Sequence, residues 1–202
     1  MDHVLHLRSL LSGRTFRPDE IDYVDPEFGP EGIVDVVYDY DLIGRRISRE
    51  SLRRDENHSI WRYRPLLPIE PDSPLPPLQI GWTPLYETPG LAASLGLRHL
   101  WVKDDGRNPT ASFKDRASAI AVVKAQERGA KIVTTASTGN AAAALSGICA
   151  SVGQANVIFV PEKAPAAKVA QLLAYGSTVM LVRGTSSASA WPPNSTCSRC
   201  PA

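Results

Sequence analysis

Residues 108–116 read Asn108-Pro109-Thr110-Ala111-Ser112-Phe113-Lys114-Asp115-Arg116, and this stretch is more informative about the fold than any other. Pro109 and its polar neighbours are typical of a turn that follows a strand. Ser112 is a favourable helix N-cap, and Asp115 three residues later predicts a capping box. We therefore expect a helix to begin here, with Lys114 in its first turn.

Lys114 is the candidate catalytic residue of this stretch. The partial positive charge of a helix N-terminus and partial burial would both disfavour the charged ammonium form. The free amine is the nucleophile that forms a Schiff base with an aldehyde cofactor, and the amides of the same turn can bind an anionic group. Taken alone, the pattern also describes an ordinary solvated lysine beside a capping box.

A second loop, Ser137-Thr138-Gly139-Asn140, follows a β-branched segment and precedes an alanine-rich one. Gly139 permits a tight turn or a close approach of a ligand to the backbone. Hydroxyls and free amides at a helix start can bind a carboxylate or a phosphate. The Asn140 amide could donate to a phenolic oxygen on a cofactor ring. Taken alone, this loop is also explained as a plain strand–helix turn with good N-cap residues.

Strand-like and helix-like segments alternate between residues 97 and 182. The predicted strands are 97–103, 131–135, 156–160 and 178–182, and the predicted helices are 112 to about 129, 140 to about 153, and 165–175. This order indicates the α/β class, with a mostly parallel sheet flanked by helices. Loops that follow the strands are then expected at one edge of the sheet, where ligands usually bind.

The composition is that of an ordinary soluble globular protein. The 202 residues are 43% hydrophobic and 21% charged, with a formal net charge of +1. Because neither charge sign forms a long block, we expect no nucleic-acid or membrane-surface partner. No apolar run approaches the roughly 18 residues that span a bilayer, and the N-terminus lacks the apolar core of a signal peptide. We therefore expect a cytoplasmic protein.

Three cysteines, an odd and low count, argue against a disulfide framework. Cys149 lies in the alanine-rich segment, and we expect it to be a small buried apolar residue. Cys197 and Cys200 form a lone Cys-x-x-Cys pair near the end of the chain. Because a structural zinc site usually needs a second pair of ligands, we expect no metal there.

The two loops together resemble a known family. Asn108–Arg116, followed downstream by Ser-Thr-Gly-Asn-Ala-Ala-Ala-Ala from Ser137, resembles the fold-type-II pyridoxal-phosphate enzymes, and threonine synthases most closely. Gly81-Trp82-Thr83-Pro84-Leu85 and Val102-Lys103-Asp104-Asp105 are similar to two further segments of that family. The resemblance covers roughly residues 1–184 and implies a tryptophan-synthase-β-like fold with pyridoxal phosphate as cofactor.

The resemblance implies a role for each of five residues. Lys114 would bind the cofactor covalently and move protons at Cα and Cβ of an amino-acid substrate. Asn140 would hydrogen-bond the ring oxygen of the cofactor. Ser137, Thr138 and the backbone amide of Ala141 would hold the substrate carboxylate.

The implied reaction converts O-phospho-L-homoserine and water to L-threonine and phosphate. A serine or threonine dehydratase, a β-replacement enzyme and a non-catalytic remnant remain as alternatives. The substrate would be a small amino acid, and a full-length chain could form a homodimer. Arg116 is expected to form a structural ion pair rather than to bind the substrate.

The N-terminal region resembles the zinc-ribbon-like segment of some threonine synthases. The Cys-x-x-Cys spacing persists as Ser9-x-x-Ser12 and Asp25-x-x-Phe28, but all four thiols are replaced. Because this set cannot form a tetrahedral zinc site, we expect no metal. The predicted divisions are a ribbon-like extension (1–32), a segment with a proline-rich connector (33–78), the partial catalytic region (79–184) and a tail unlike the family (185–202).

The sequence departs from the family after Gly184. The family continues with a glycine-rich loop for the cofactor phosphate and a Ser or Thr opposite the pyridine nitrogen, but no glycine follows Gly184 here. We expect a truncated gene product, with a frameshift near residue 185 as one origin. An inactive fragment is one alternative that follows from this departure.

Overall fold

The computed structural model describes residues 1–21 and 23–182. In this range the chain forms two compact units, residues 1–52 and residues 53–182. The predictions for Cys197, Cys200 and the 185–202 tail fall outside the described residues. The four-part division of the chain stays a prediction.

The first unit contains a three-stranded antiparallel sheet in the order β2-β1-β3. Its buried apolar side chains are Val4, Phe16, Ile21 and Ile43. The helices and strands up to residue 54 are β1 (Val4–Ser9), β2 (Thr15–Phe16), β3 (Val34–Tyr38), α1 (Tyr40–Arg46) and α2 (Arg49–Arg54), the last of which extends past the boundary at residue 52.

The second unit carries both candidate loops and alternates strands with helices. A 3-10 segment, Ile60–Leu66, precedes them. The elements that follow are β4 (Leu85–Glu87), α3 (Pro89–Ser94), β5 (Trp101–Lys103), α4 (Lys114–Glu127), β6 (Ile132–Ala136), α5 (Asn140–Ser151), β7 (Ala155–Pro161), α6 (Ala166–Ala174) and β8 (Thr178–Val182).

Strands β6, β7 and β8 form a parallel sheet in that order, which confirms the predicted α/β class. In register, Val157 of β7 lies opposite Thr134 of β6 and Thr178 of β8. Parallel neighbours require a crossover connection, and α5 and α6 supply the two connections. The bounds of these three strands and of α6 agree with the predicted ranges to within one residue.

Strand β5 does not join this sheet, although the sequence pattern placed it first in the parallel series. It pairs antiparallel with β4 in a separate two-stranded sheet, with Tyr86 opposite Val102. It is also shorter than predicted, because only Trp101–Lys103 of the 97–103 segment is extended against a partner. The loop that leads to Lys114 (residues 104–113, the lysine loop) therefore follows this small sheet and not a strand of the parallel one.

The core of the second unit lies between the helices and the parallel sheet. Its largest buried apolar side chains include Ile69, Ile80, Val122, Ile148 and Ile158. Helix α5 is buried over eight consecutive residues, 142–149, as expected of a helix that is apolar on all sides.

Cys149 is fully buried in α5, as predicted. Burial raises the pKa of its thiol to about 11, which disfavours the reactive thiolate. Among the described residues, no helix is long and apolar enough to cross a bilayer.

Candidate functional site

Lys114 is the first residue of α4, as the sequence indicated. Its backbone N–H donates to Ser112 Oγ at 3.0 Å. Its side chain is exposed, so the expected partial burial is wrong. The exposed amine can be reached by a dissolved aldehyde.

The predicted capping box at this helix is also wrong. The N-cap is Phe113, which makes no side-chain cap. Asp115 is fully buried and turns back to Thr110. Asp115 Oδ2 accepts from the Thr110 N–H at 2.8 Å, and Oδ1 accepts from the Thr110 hydroxyl. The carboxylate is therefore used to close the lysine loop rather than to cap α4.

A second contact holds the beginning of this loop. The Gly81 N–H donates to Asn108 Oδ1 at 2.9 Å, and Asn108 Nδ2 donates to the Asp105 carbonyl at 2.9 Å. Gly81 has φ +81°, and a Cβ there would lie 2.7 Å from Ile60 Cγ2. Only glycine fits this close approach, so the Gly81–Leu85 segment is tied to the lysine loop.

Arg116 forms the structural ion pair that the sequence indicated. Its Nη2 lies 2.8 Å from Asp105 Oδ1, and its Nε lies 3.3 Å from Asp105 Oδ2. Thr83 Oγ1 donates to Asp105 Oδ1 at 2.6 Å. The hydrogen bonds from Arg116, and then from Thr83, hold the pKa of the Asp105 carboxyl below its usual range. Asp105 thus stays ionised and links Thr83 of the Gly81–Leu85 segment to Arg116 of α4.

Two residues beside the lysine have left-handed backbones. Trp82 has φ +53° and Ala111 has φ +56°, values that cost energy for residues other than glycine. Such strain persists only where surrounding contacts impose it, and it is frequent at functional sites. Here the strained residues lie in the two segments joined by the contacts of Gly81 and Asp105.

An open cleft of about 410 Å³ borders the lysine loop. Trp82 is half exposed, and the Arg62 guanidinium lies 4.4 Å from the centre of its indole ring. The cleft is lined by Gln79, Gly81, Trp82, Thr83, Pro84, Arg107 and Pro109. It offers a small ligand a surface of mixed polarity beside the loop.

The second candidate loop lies at the carboxyl end of β6. The Ser137 N–H donates to the Phe159 carbonyl at 3.1 Å, and Ser137 Oγ accepts from the Gly139 N–H at 3.1 Å. Asn140 and Ala141 are the first two residues of α5, whose N-cap, Gly139, makes no side-chain cap. The first amides of a helix have no acceptor within it, so this end of α5 can receive an anion.

Thr138 and Ala141 are half-buried at the same turn, and Asn140 is exposed. The five candidate residues thus occupy two loops, each at the start of a helix. Helices α4 and α5 pack against each other and so connect the loops. The roles assigned to these five residues stay predictions.

Sequence reasoning missed the residues that hold the lysine loop in place. Thr83, Asp105 and Asn108 lie within the family-like segments. Two of their contacts, Thr83–Asp105 and Gly81–Asn108, join positions more than twenty residues apart. Spacing along the chain carried no signal for these pairs. The side-chain chemistry alone marked them as polar residues near turns.

Comparison with known proteins identifies the family. Residues 77–191, more than half of the chain, match the family described as pyridoxal-phosphate dependent enzyme. The threonine synthase of Methanocaldococcus jannaschii is 40% identical over 178 residues, which cover 88% of this chain and 43% of that protein. The threonine synthase of Methanosarcina acetivorans is 41% identical over 180 residues, which cover 89% and 43%.

A solved structure, that of maize serine racemase, superposes with a TM-score of 0.48 and 28% identity, over 51% of this chain and 31% of that one. The chain spans less than half the length of the two threonine synthases. Pyridoxal phosphate is the cofactor that the sequence predicted, and the family match confirms it. The chain belongs to the family of pyridoxal-phosphate dependent enzymes.

Proposed function

We propose that this chain supplies the lysine-bearing part of a threonine synthase, which converts O-phospho-L-homoserine and water to L-threonine and phosphate. The observation that carries the proposal is the exposed Lys114 at the start of α4, in a chain about 40% identical to threonine synthases. The proposal places the enzyme in the cytoplasm, with a small amino acid as its substrate.

The residues present fit pyridoxal phosphate. An aldehyde needs an accessible amine, and Lys114 has an exposed side chain. An anionic group needs free amides, and α5 begins without a side-chain cap. A Cβ built on Gly139 would meet no atom within 4 Å, so there is room beside this turn. When bound, the cofactor withdraws electrons from the substrate carbons through its ring.

The roles in proton movement, cofactor binding and substrate binding belong to groups in the two loops. We assign to Lys114 the movement of protons at the substrate's Cα and Cβ. The Asn140 amide donates to the ring oxygen of the cofactor. Ser137, Thr138 and the Ala141 N–H bind the substrate carboxylate, where the partial positive charge of the α5 N-terminus favours an anion.

Covalent trapping tests the role of Lys114. The purified chain is mixed with pyridoxal phosphate, reduced with borohydride and digested, and the modified lysine is identified by mass spectrometry. We expect the adduct on Lys114 and its loss in Lys114→Ala. Lys168→Ala is the matched control, because Lys168 is also an exposed helical lysine but lies in α6. An adduct spread over several lysines, or absent from Lys114, would contradict the proposal.

Product analysis tests the reaction separately from cofactor binding. Phosphate and threonine released from O-phospho-L-homoserine would support the threonine synthase reaction. Ammonia and a 2-oxo acid formed from serine or threonine would instead support a dehydratase. Trapping on Lys114 without turnover of any of these substrates would show that this part of the enzyme binds the cofactor and does not complete the reaction alone.

A further inference from the structure

Gly147 of α5 lies against Thr110 of the lysine loop. It lies in the buried middle of the helix. A Cβ built there would lie 2.5 Å from Thr110 Cγ2, and 3.7 Å from two ring carbons of Tyr175. A separation of 2.5 Å between carbons is well inside van der Waals contact. Glycine is unfavourable inside a helix by about 1 kcal/mol relative to alanine, and this contact accounts for its presence.

Thr110 links Gly147 to α4, the helix that begins at Lys114. Both the N–H and the hydroxyl of Thr110 donate to the carboxylate of Asp115, which is fully buried. Asp115 directly follows Lys114 in the first turn of α4. Moving the Thr110 side chain alone disturbs its hydroxyl bond to this carboxylate, and moving the whole residue disturbs both bonds unless the first turn of α4 moves with it. Loss of either bond is costly because a buried acceptor loses a partner.

Gly147 also has a fixed relation to the second loop. It lies seven residues after Asn140, so the two positions share one face of α5 and are about 10 Å apart along its axis. The face that begins at Asn140 is thus the face that rests on Thr110. Helix α5 acts as a rigid spacer between the two loops.

We propose that Gly147 is a positioning residue that sets the separation between the Lys114 loop and the Ser137–Asn140 loop. Its missing side chain lets α5 rest directly on Thr110, so that Lys114 and Asn140 reach the same cofactor. This inference rests on the proposed cofactor role of Lys114. It adds a residue that touches neither cofactor nor substrate and acts through Thr110 and Asp115.

A double-mutant cycle tests this contact. Gly147→Ala adds the Cβ, while Thr110→Ser removes Cγ2 and keeps the hydroxyl that donates to Asp115. The measured quantity is the pyridoxal phosphate concentration for half-maximal trapping at Lys114, at a temperature where each variant is folded. We expect Gly147→Ala to raise it by on the order of tenfold, since overpacking shifts neighbouring groups. Thr110→Ser should restore it in the double variant.

Gly90→Ala is the matched control. Gly90 also lies in a helix, α3, but a Cβ there meets no atom within 4 Å. We expect this variant to trap pyridoxal phosphate like the wild type. If Gly147→Ala fails to fold, the double variant carries the test, because removal of the Thr110 methyl should recover both folding and trapping.

In the trapping assay, two results would overturn the inference. One is unchanged trapping in a folded Gly147→Ala variant, and the other is a defect that Thr110→Ser does not relieve. If the proposed function is wrong, even the wild type will trap no pyridoxal phosphate on Lys114, and a second measurement is then needed. Hydrogen exchange at the Thr110 amide, measured without cofactor, should then still accelerate in Gly147→Ala and recover in the double variant. Unchanged exchange would overturn the inference independently of the cofactor.

Discussion

At the scale of single residues, the lysine loop is held by contacts that oppose local preference. Ala111 adopts a left-handed backbone at φ +56° between Thr110 and Ser112, and both neighbours are engaged in hydrogen bonds. An L-residue with a Cβ is disfavoured there by about 1–2 kcal/mol. The neighbouring bonds hold the loop in this conformation.

Substituting Ala111 with glycine should therefore stabilise the protein. Glycine removes the left-handed penalty but loses about 0.5–1 kcal/mol more backbone entropy on folding. We expect a net gain of about 0.5–1 kcal/mol in the free energy of unfolding. This gain should raise the urea midpoint of Ala111→Gly above that of the wild type.

Ala117→Gly is the control for this substitution. Ala117 is exposed in the interior of α4, where glycine should cost about 1 kcal/mol. We therefore expect the urea midpoint to rise in Ala111→Gly and to fall in Ala117→Gly. Equal destabilisation by both would show that the Ala111 backbone is not strained.

Residue types at this scale predicted part of the site. A lysine at a helix start and a serine-glycine turn before a second helix were both readable from local spacing. The partner of Asp115 was not, because a carboxylate three residues after a serine fits a capping box equally well. The turn that brings the Thr110 N–H and hydroxyl to it depends on the left-handed Ala111.

At the scale of elements, hydrogen bonds join the two turns of the N-terminal unit that begin at Ser9 and Asp25. Ser12 Oγ donates to Asp25 Oδ2 at 2.8 Å, the Ser12 N–H donates to Ser9 Oγ at 3.2 Å, and the Glu27 N–H donates to Asp25 Oδ1 at 3.1 Å. Among the described residues, no group of three His, Cys, Asp or Glu side chains is arranged to hold a metal. The two turns are thus joined through the fully buried Asp25.

Asp25 should make the stability of this unit depend on pH. Burial alone would raise the pKa of its carboxyl, but the hydrogen bonds from Ser12 and Glu27 outweigh burial and lower that pKa. The ionised carboxylate therefore stabilises the fold above the unfolded pKa of about 3.9. This contribution is lost as the pH falls through the lower folded pKa.

Asp25→Asn should remove this dependence. At about pH 6 we expect Asp25→Asn to have a lower urea midpoint than the wild type, measured from the NMR amide signals of β1. At about pH 3 the difference between the two midpoints should be smaller. Asp35→Asn is the control, since Asp35 lies on β3 of the same sheet with a largely exposed side chain. A difference between Asp25→Asn and wild type that stays constant with pH would show that the carboxylate charge is not responsible.

At the scale of the whole molecule, the parallel sheet has two outer strands. Strand β7 is paired on both sides, whereas β6 and β8 each pair only with β7 among the described residues. Met180 and Leu181 of β8 are 48% and 60% exposed. Outer strands with exposed apolar residues are sites of association between chains.

A charge on this outer strand should reduce association of the chain. We expect Leu181→Lys to lower light scattering at a given concentration, because lysine disfavours edge-to-edge pairing. Leu97→Lys is the control, since Leu97 is also exposed but lies outside the helices and strands. Equal effects of the two substitutions would attribute the change to net charge rather than to the strand edge.

Local sequence was sufficient for several elements around the parallel sheet and for the family. β-Branched runs, alanine-rich runs and turn residues predicted β6, β7, β8 and α6, and the loop motifs led to pyridoxal phosphate. These features depend on residues within a few positions of each other, where propensity and hydrogen bonding to near neighbours dominate.

Long-range packing was needed for the rest. It placed β5 against β4 instead of β6, turned Asp115 to Thr110, and set Gly147 against the lysine loop. Each of these depends on which distant surface offers a partner of the right shape or charge. Such a choice is made only when the chain closes its core, because no local pattern distinguishes one distant partner from another.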